Sequence, residues 1–310
     1  MDFSKAKSVL IGLFLCLNFF LGYQLVQMHQ WVTFPEGFLG EGANPEDEER
    51  LEEMLEEYNY QLQGDFPRGT LEKSFLQVRP PAWEEEELLA RFFGEDKEKV
   101  EKESREDTMV YRHQGGELII YHHGAYRYSP PQDDEEGEAE MDAGQARELA
   151  EDFIETHQLK PEDTIHSLTL QEEDGFYLVY HQEWLDLPVY ASYLMVTVEG
   201  ERVAQVESYW PEVKGLEEER EMEIIPGAAA LVRFMEDRGV SHQGEVVEDV
   251  ELGYYSIEYD AEKWEVPPVW RIVLEGGEVY YLNAFTGNLE YPPEEQQSRK
   301  HKRWGVTCQS

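Results

Sequence analysis

Paired histidines, clustered carboxylates and a nucleophile beside a base are the residue types this chain would need for catalysis or metal binding. Few of them stand at working spacing. His122-His123 is the most suggestive pair. On an extended strand successive side chains point to opposite faces, so two neighbouring rings cannot share one ion. A solvated turn accounts for them better. Asp133-Asp134-Glu135-Glu136-Gly137 has the look of a calcium loop. With Gly137 at the sixth position, the first is Gln132 and the twelfth Ala143, so both anchoring ligands are missing. The run reads as an extended acidic linker. No Gly-x-Ser-x-Gly elbow, His-Glu-x-x-His, Walker-type phosphate loop or Cys-x-x-Cys is present. With 67 Asp and Glu in 310 residues, two carboxylates fall near one another by chance. The sequence therefore assigns no catalytic residue, metal ligand or cofactor.

Aromatic residues carry a different kind of chemistry. Tyr177, Tyr180, Trp184, Tyr190, Tyr193, Tyr209 and Trp210 crowd one stretch. Strand alternation sends about half of them inward. The outward remainder, expected at Trp184, Tyr190 and Tyr193, suits a protein interface, where Tyr and Trp are enriched. Cys16 lies in an apolar run expected to sit within a membrane, and Cys308 near the C-terminus is expected outside it, so the two cannot meet within one chain. No internal disulfide is expected, and a chain of this length folds without one.

Charge narrows the partners. The net charge is −41; Asp2, Lys5 and Lys7 contribute +1, which leaves −42 for the residues after 35. Nucleic acid and anionic membrane surfaces both repel such a chain. Hydrophobic residues make up 41% and aromatics 13%. That is enough to build cores, and unlike a disordered acidic tail.

From Ser8 to Thr33 there is no Asp, Glu, Lys or Arg. An apolar run of about 20 residues spans a hydrocarbon core of about 30 Å. Lys5 and Lys7 before it hold the N-terminus on the cytoplasmic side. Tyr23 and Trp31 are placed to sit at the far interface. A cleaved signal peptide has a shorter apolar region ending in a small-x-small site, which Leu25-Val26-Gln27-Met28 does not offer. Length and flanks favour an uncleaved anchor. Within it, Ile11, Phe14, Leu15, Asn18, Gly22 and Leu25 share one helical face. Asn18 is stabilised in lipid by bonding across to another helix, by about 0.6–2 kcal/mol, and Gly22 would let that helix approach. The physics leaves open that Asn18 bonds only its own helix.

The elements beyond the anchor order themselves into helix-plus-sheet units. The expected organisation is a cytoplasmic N-terminus (1–8), a transmembrane helix (9–28), a juxtamembrane linker (29–44), a first α+β unit (45–129), an acidic linker (130–142), a second unit (143–215), a third (216–292) and a basic tail (293–310). A helix from Pro45 carries Leu51, Met54, Leu55 and Tyr58 on one face. Leu71–Val78 reads as a strand and Trp83–Phe93 as a helix. Short strands are expected at Thr108–His113, Glu117–His122 and Ala125–Ser129, with glycine turns between them. The second and third units each read as a helix followed by antiparallel strands. The helices are Ala143–His157, with Leu149, Phe153 and Ile154 as its stripe, and Pro226–Asp237, with Ala230, Leu231 and Phe234 inward. The strands are Ile165–Gln171, Phe176–Glu183, Val189–Val198 and Arg202–Tyr209, then Val246–Tyr259, Val269–Leu274 and Glu278–Asn283. The fold class is α+β. Near the end, Asn283 is placed to bond backbone groups two residues on, and Gly287 to take positive φ.

Two stretches resemble known families. Met1-Asp2-Phe3-Ser4-Lys5-Ala6-Lys7-Ser8, running into an apolar helix with Asn18 and leaving through Phe20-Leu21-Gly22-Tyr23-Gln24, resembles the YycI (WalI) family. The motif covers about a tenth of the chain, and Phe3 stands where Trp is commoner. The Pro268–Gly287 hairpin resembles the end of PepSY-type modules, with Asn283 where Asp is usual. The first resemblance implies an extracytoplasmic, YycH/YycI-like α+β fold and a non-enzymatic, single-pass regulator of a WalK-type (YycG-type) sensor histidine kinase of Gram-positive bacteria. Such a protein controls cell-wall metabolism, contacts the kinase's transmembrane helices through its own, and acts with a YycH (WalH)-type partner. The second leaves an alternative: a tethered PepSY-like inhibitor or chaperone of a secreted protease or wall enzyme. With an uncleaved anchor, protease treatment of intact protoplasts is expected to degrade the acidic domains. A mature secreted form starting beyond Gln30 contradicts that topology.

Overall fold

The computed structural model describes residues 14, 45–64, 72–81, 83–131, 141–161, 163–172, 175–217, 220–238, 244–257 and 261–290. In the first compact unit (Met1–Phe38), Phe14 is helical and exposed. Lys5, Lys7, Ile11, Leu15, Asn18, Gly22 and Leu25 lie outside the described residues, as do the 29–44 linker, the Asp133–Glu136 run and the C-terminal tail. Among the described residues, no helix is long and apolar enough to cross a membrane.

The second compact unit is a mixed α+β fold. Helix α1 (Pro45–Tyr58) buries Leu51 and Leu55, as its spacing predicts, and leads into β1 (Tyr60–Leu62). β2 (Glu72–Lys73) and β3 (Leu76–Arg79) follow. Helix α2 (Glu85–Phe93) has Glu85, Glu86 and Glu87 in its first turn, where they oppose the helix dipole, and buries Leu88 and Phe92. After a 3₁₀ turn come β4 (Glu101–Ser104), β5 (Thr108–His113), β6 (Gly116–Tyr121) and β7 (Tyr126–Ser129). Helix α3 (Ala143–Thr156) starts in a capping box. Asp142 Oδ1 accepts from Gln145 N (2.9 Å), and Gln145 Oε1 accepts from Asp142 N (3.0 Å). Strands β8 (Thr164–Glu172), β9 (Gly175–Trp184), β10 (Leu187–Glu199), β11 (Arg202–Tyr209), β12 (Glu212–Leu216) and β13 (Met222–Glu223) lead to α4 (Gly227–Arg238). β14 (Glu245–Tyr254), β15 (Trp264–Val266), β16 (Pro268–Leu274) and β17 (Val279–Asn283) complete the described chain.

Twelve of these strands belong to one sheet. Its larger part runs β8-β9-β10-β11-β7-β6-β5-β4, antiparallel throughout. Helices α2 and α3 cover one face through Leu88, Phe92, Ala146, Ala150 and Ile154, which meet Tyr126, Tyr128, Leu178 and Val196. The stripe of α3 is rotated from the expected one. Ala146, Ala150 and Ile154 are buried, while Leu149 and Phe153 are partly buried flanks, because the small alanines let the helix sit close to the strands. The smaller part is β1-β14-β16-β17, with α4 on it through Phe234, whose ring meets those of Tyr60 and Tyr280; Trp270 of β16 donates from Nε1 to Ile225 O (2.9 Å) just before the helix. α1 and β1 join α4 and β14, with Tyr60 pairing in parallel to Glu245. The β4–β7 meander instead continues the β8–β11 sheet.

Several strands differ from expectation. Leu71–Val78 is not one strand: β2 pairs with β13, whereas β3 is the middle of a separate sheet, β12-β3-β15. Only Leu76-Gln77-Val78 alternates buried with partly buried, and Glu72-Lys73 has no apolar side chain to bury. β4 is Glu101-Lys102-Glu103-Ser104, exposed throughout, so no apolar pattern announces it. β14 ends at Tyr254, short of the expected Tyr259. Asn283 does as predicted: its Oδ1 accepts from Phe285 N (2.9 Å) and Thr286 N (3.1 Å), and Gly287 follows at φ +69°.

The two parts of the large sheet join where Val189 of β10 bridges Tyr254 of β14. Gly253 makes the approach possible. A Cβ there would stand 2.6 Å from Pro188 O and 3.0 Å from Tyr190 Cδ2, with backbone on one side and a buried ring on the other. Gly253→Ala is therefore expected to lower stability by about 1–3 kcal/mol through overpacking. Urea unfolding measures this directly; an unchanged midpoint would show that the seam yields freely.

Candidate functional site

The three aromatic residues expected at an outer surface all lie on the β9–β10 hairpin. Its loop is two residues long. Trp184 pairs with Leu187, and Leu185 and Asp186 take φ +51° and +60°. Positive φ at both positions is the type I′ geometry, whose hand matches strand twist. Trp184 and Leu187 are partly buried against Leu76, Val78, Val189, Ala191, Tyr254 and Val266. Trp184 Nε1 is enclosed there without a hydrogen-bond acceptor. Leu185 points outward and is 68% exposed.

Tyr190 and Tyr193 are each only 3% exposed, which corrects their placement at an outer interface. Alternation assumes a strand with one wet face, but β10 is buried on both from Pro188 to Val198. Tyr193 packs with Ala125, Val179, Met195 and Tyr209. Tyr190 lies at the seam. The Arg271 guanidinium sits 5.0 Å from its ring centroid, and its hydroxyl donates to Glu251 Oε2 (2.6 Å). The His181 ring meets it edge-on at 5.2 Å, and Tyr281 lies beyond at 5.3 Å, itself stacked on Tyr255 at 4.0 Å. Arg271, 5% exposed, donates from Nη1 to Ser167 Oγ (2.7 Å). It lies 3.6 Å from Glu251 Oε2 and 4.0 Å from Asp249 Oδ2. This charge is retained in the interior because oxygens on two strands, β8 and β14, surround it.

Burial pushes the Tyr190 hydroxyl well above its ordinary range, and Glu251 adds to this while Arg271 opposes it. Burial also brings the His181 imidazole down to about 3; the Ser192 carbonyl, which accepts from Nδ1 at 2.5 Å, pulls the other way, and Arg271 reinforces the drop. His181 is thus neutral, and it is 4% exposed. A neutral buried imidazole and a protonated buried phenol do not face solvent, and this cluster ties together the two parts of the large sheet.

The remaining candidates lie apart from it. His122 and His123 occupy the β6–β7 turn, as expected; His122 is exposed and the His123 ring lies 5.9 Å from that of Tyr209. An open cleft of about 540 Å³ beside the β5–β6 turn is lined by Lys99, Arg112, His113, Gly116, Glu117 and Ser129, and the sequence reading missed it. Arg112 is already paired there with Glu103 (2.7 Å) and Glu117 (2.5 Å). Leu185 was missed too. Its signal was the unusual dipeptide Leu-Asp in a loop where Asn-Gly is the common choice.

A histidine held near 3 in the folded chain and at about 6.5 in the unfolded one lets the unfolded state bind more protons between those values. Stability is then complete above about pH 6.5 and is lost as pH falls toward 3, by about 2 kcal/mol between pH 6.5 and 5 from His181 alone. His166, also lowered by burial, acts in the same direction. Urea midpoints from pH 7 to 5 are expected to fall less steeply in His181→Asn than in the parent; parallel slopes would remove His181 as the source.

In comparisons with known proteins, a family model described as YycI protein matches residues 42–285. An uncharacterized protein from Eubacterium rectale, solved at 1.45 Å, is 12% identical over 76% of this chain and 91% of that one, with a TM-score of 0.49. The Bacillus megaterium YpeB C-terminal domain is 14% identical over 69% of this chain and 97% of its own, with a TM-score of 0.36. At these scores neither likeness carries an argument. No curated protein matches the chain significantly.

Proposed function

This chain belongs to the YycI protein family, which is associated with regulation of the WalK/YycG two-component system, and on that premise we propose that it is a non-catalytic, membrane-anchored regulator of a WalK-type sensor histidine kinase. Residues 9–28 cross the membrane with Lys5 and Lys7 inside, and the folded part stands outside. The helix face Ile11, Phe14, Leu15, Asn18, Gly22 and Leu25 contacts the kinase's transmembrane helices, and the outer fold pairs with a YycH-type protein. Through the kinase it bears on cell-wall metabolism. The observation that carries this reading is the reach of the family match, residues 42–285, which covers the folded body and lies wholly beyond the 9–28 segment.

The membrane part of the proposal is testable against a simple tether. Asn18→Leu removes the polar contact and Gly22→Leu blocks close helix approach, while both keep the segment apolar. Each is expected to insert, fold, and lose co-purification with the kinase in detergent by about 3- to 30-fold, from about 0.6–2 kcal/mol of helix contact. Target-gene expression should shift with it. Replacing residues 9–28 by an unrelated span of equal length should do the same. Parent-like association and output from the swapped span would reject the helix contact and leave the segment as a tether, as a PepSY-like inhibitor of a secreted enzyme would use it.

A further inference from the structure

The β9–β10 loop carries the wrong residues for its geometry. Both positions of a type I′ turn need positive φ, which suits Gly, Asn and Asp and penalises a branched apolar side chain. Leu185 occupies the first of them at φ +51°. It gains no burial there: at 68% exposure it is the most exposed large apolar side chain described in residues 45–290. Its neighbours Trp184 and Leu187 are rooted in the apolar cluster around Val78 and Tyr254. The strained residue therefore stands on a fixed base rather than on a loose loop. A backbone conformation that costs energy and serves no internal packing points to use by something outside the chain.

The charges at the tip say what that something is. Glu183 and Asp186 flank Leu185 and are exposed, and residues 183–187 include no Lys or Arg. A second copy of a −41 chain would bring like charges together, and an anionic lipid surface would do the same. The matching surface is an apolar pocket rimmed by cations. We propose that the Trp184–Leu187 turn is a docking knob, with Leu185 entering an apolar pocket on a partner protein while Glu183 and Asp186 meet Lys or Arg at its rim. The identity of that partner, a YycH-type protein, rests on the function proposed above; the knob rests on the turn itself. The base of the knob is already ordered, so little side-chain freedom is lost on docking.

The test uses the purified full-length chain titrated with a purified YycH-type protein, together with thermal unfolding of each variant alone. Leu185→Asn suits positive φ, so it should raise the thermal midpoint by about 2 °C while weakening binding about tenfold or more. Asp186→Lys should weaken binding and flatten its salt dependence. Met222→Asn removes the other exposed large apolar side chain among the described residues of this body, at 37%, and should leave affinity unchanged. Parent-like affinity in Leu185→Asn overturns the knob alone, and so does a lowered midpoint, which would make Leu185 part of the fold. Failure of the parent to bind removes the YycH-type partner and the knob with it. Self-association of the parent that Leu185→Asn abolishes overturns the basic-rimmed pocket in favour of a second copy.

Discussion

Strand β10 has partner strands on both sides, and the rest of the fold is arranged around that. β9 runs along one side of it; β11 takes the other side from Tyr193 to Glu199, and β14 reaches that side at Val189. Every backbone donor and acceptor in such a strand has to be matched by a neighbour at the right register. Both faces are covered as well, so eleven successive residues from Pro188 to Val198 are buried. The junction of the two sheet parts then has little room to vary. Gly253 must lack a side chain, Tyr190 must lie across it, and Arg271 must lie over Tyr190 with Ser167, Glu251 and Asp249 around it. The polar atoms at this point are constrained by packing, and their removal leaves buried charge behind.

What could be read ahead of the structure was local. The faces of α1 and α4 followed from apolar spacing, the β5–β7 meander from its glycine turns, and the Asn283 turn from the reach of a carboxamide. What could not be read was pairing at a distance. Nothing in Tyr60-Gln61-Leu62 says that it will lie parallel to Glu245-Val246-Val247, and nothing in β3 says that it will sit between β12 and β15. The candidate surface shows the same division. Trp184 was singled out because aromatic residues are conspicuous, and it lies partly buried at the base of the turn. Tyr190 and Tyr193 were misplaced because alternation describes a strand with one wet face. Leu185 was passed over because a lone leucine has no pattern. The family was legible from the first two dozen residues, and the match that establishes it lies in the folded body beyond them.

The excess of acid leaves the few cations heavily shared. Arg112 serves both Glu103 and Glu117, Arg105 also holds Glu103, and the Glu103 carboxyl is drawn down to about 2 by those two guanidinium groups. Exposed pairs of this kind contribute little to stability and are screened by salt. Their larger effect is on the outside field, which stays negative and sorts approaching molecules before contact. Arg271 is a different case, a cation enclosed by the fold and of no use to that field.

A sheet that stops leaves a row of unpaired backbone groups, and any extended peptide can use them as a template. In the described residues one border of this sheet is β4, whose four side chains are Glu101, Lys102, Glu103 and Ser104, all exposed. A chain adding there would bring its own side chains about 4.8 Å from two carboxylates. A copy of the same strand would set glutamate beside glutamate, with one lysine to offset them. Polymerisation through this border is thereby discouraged even when many molecules are crowded into a small space. At this border, meetings with other molecules are left to side chains instead of backbone.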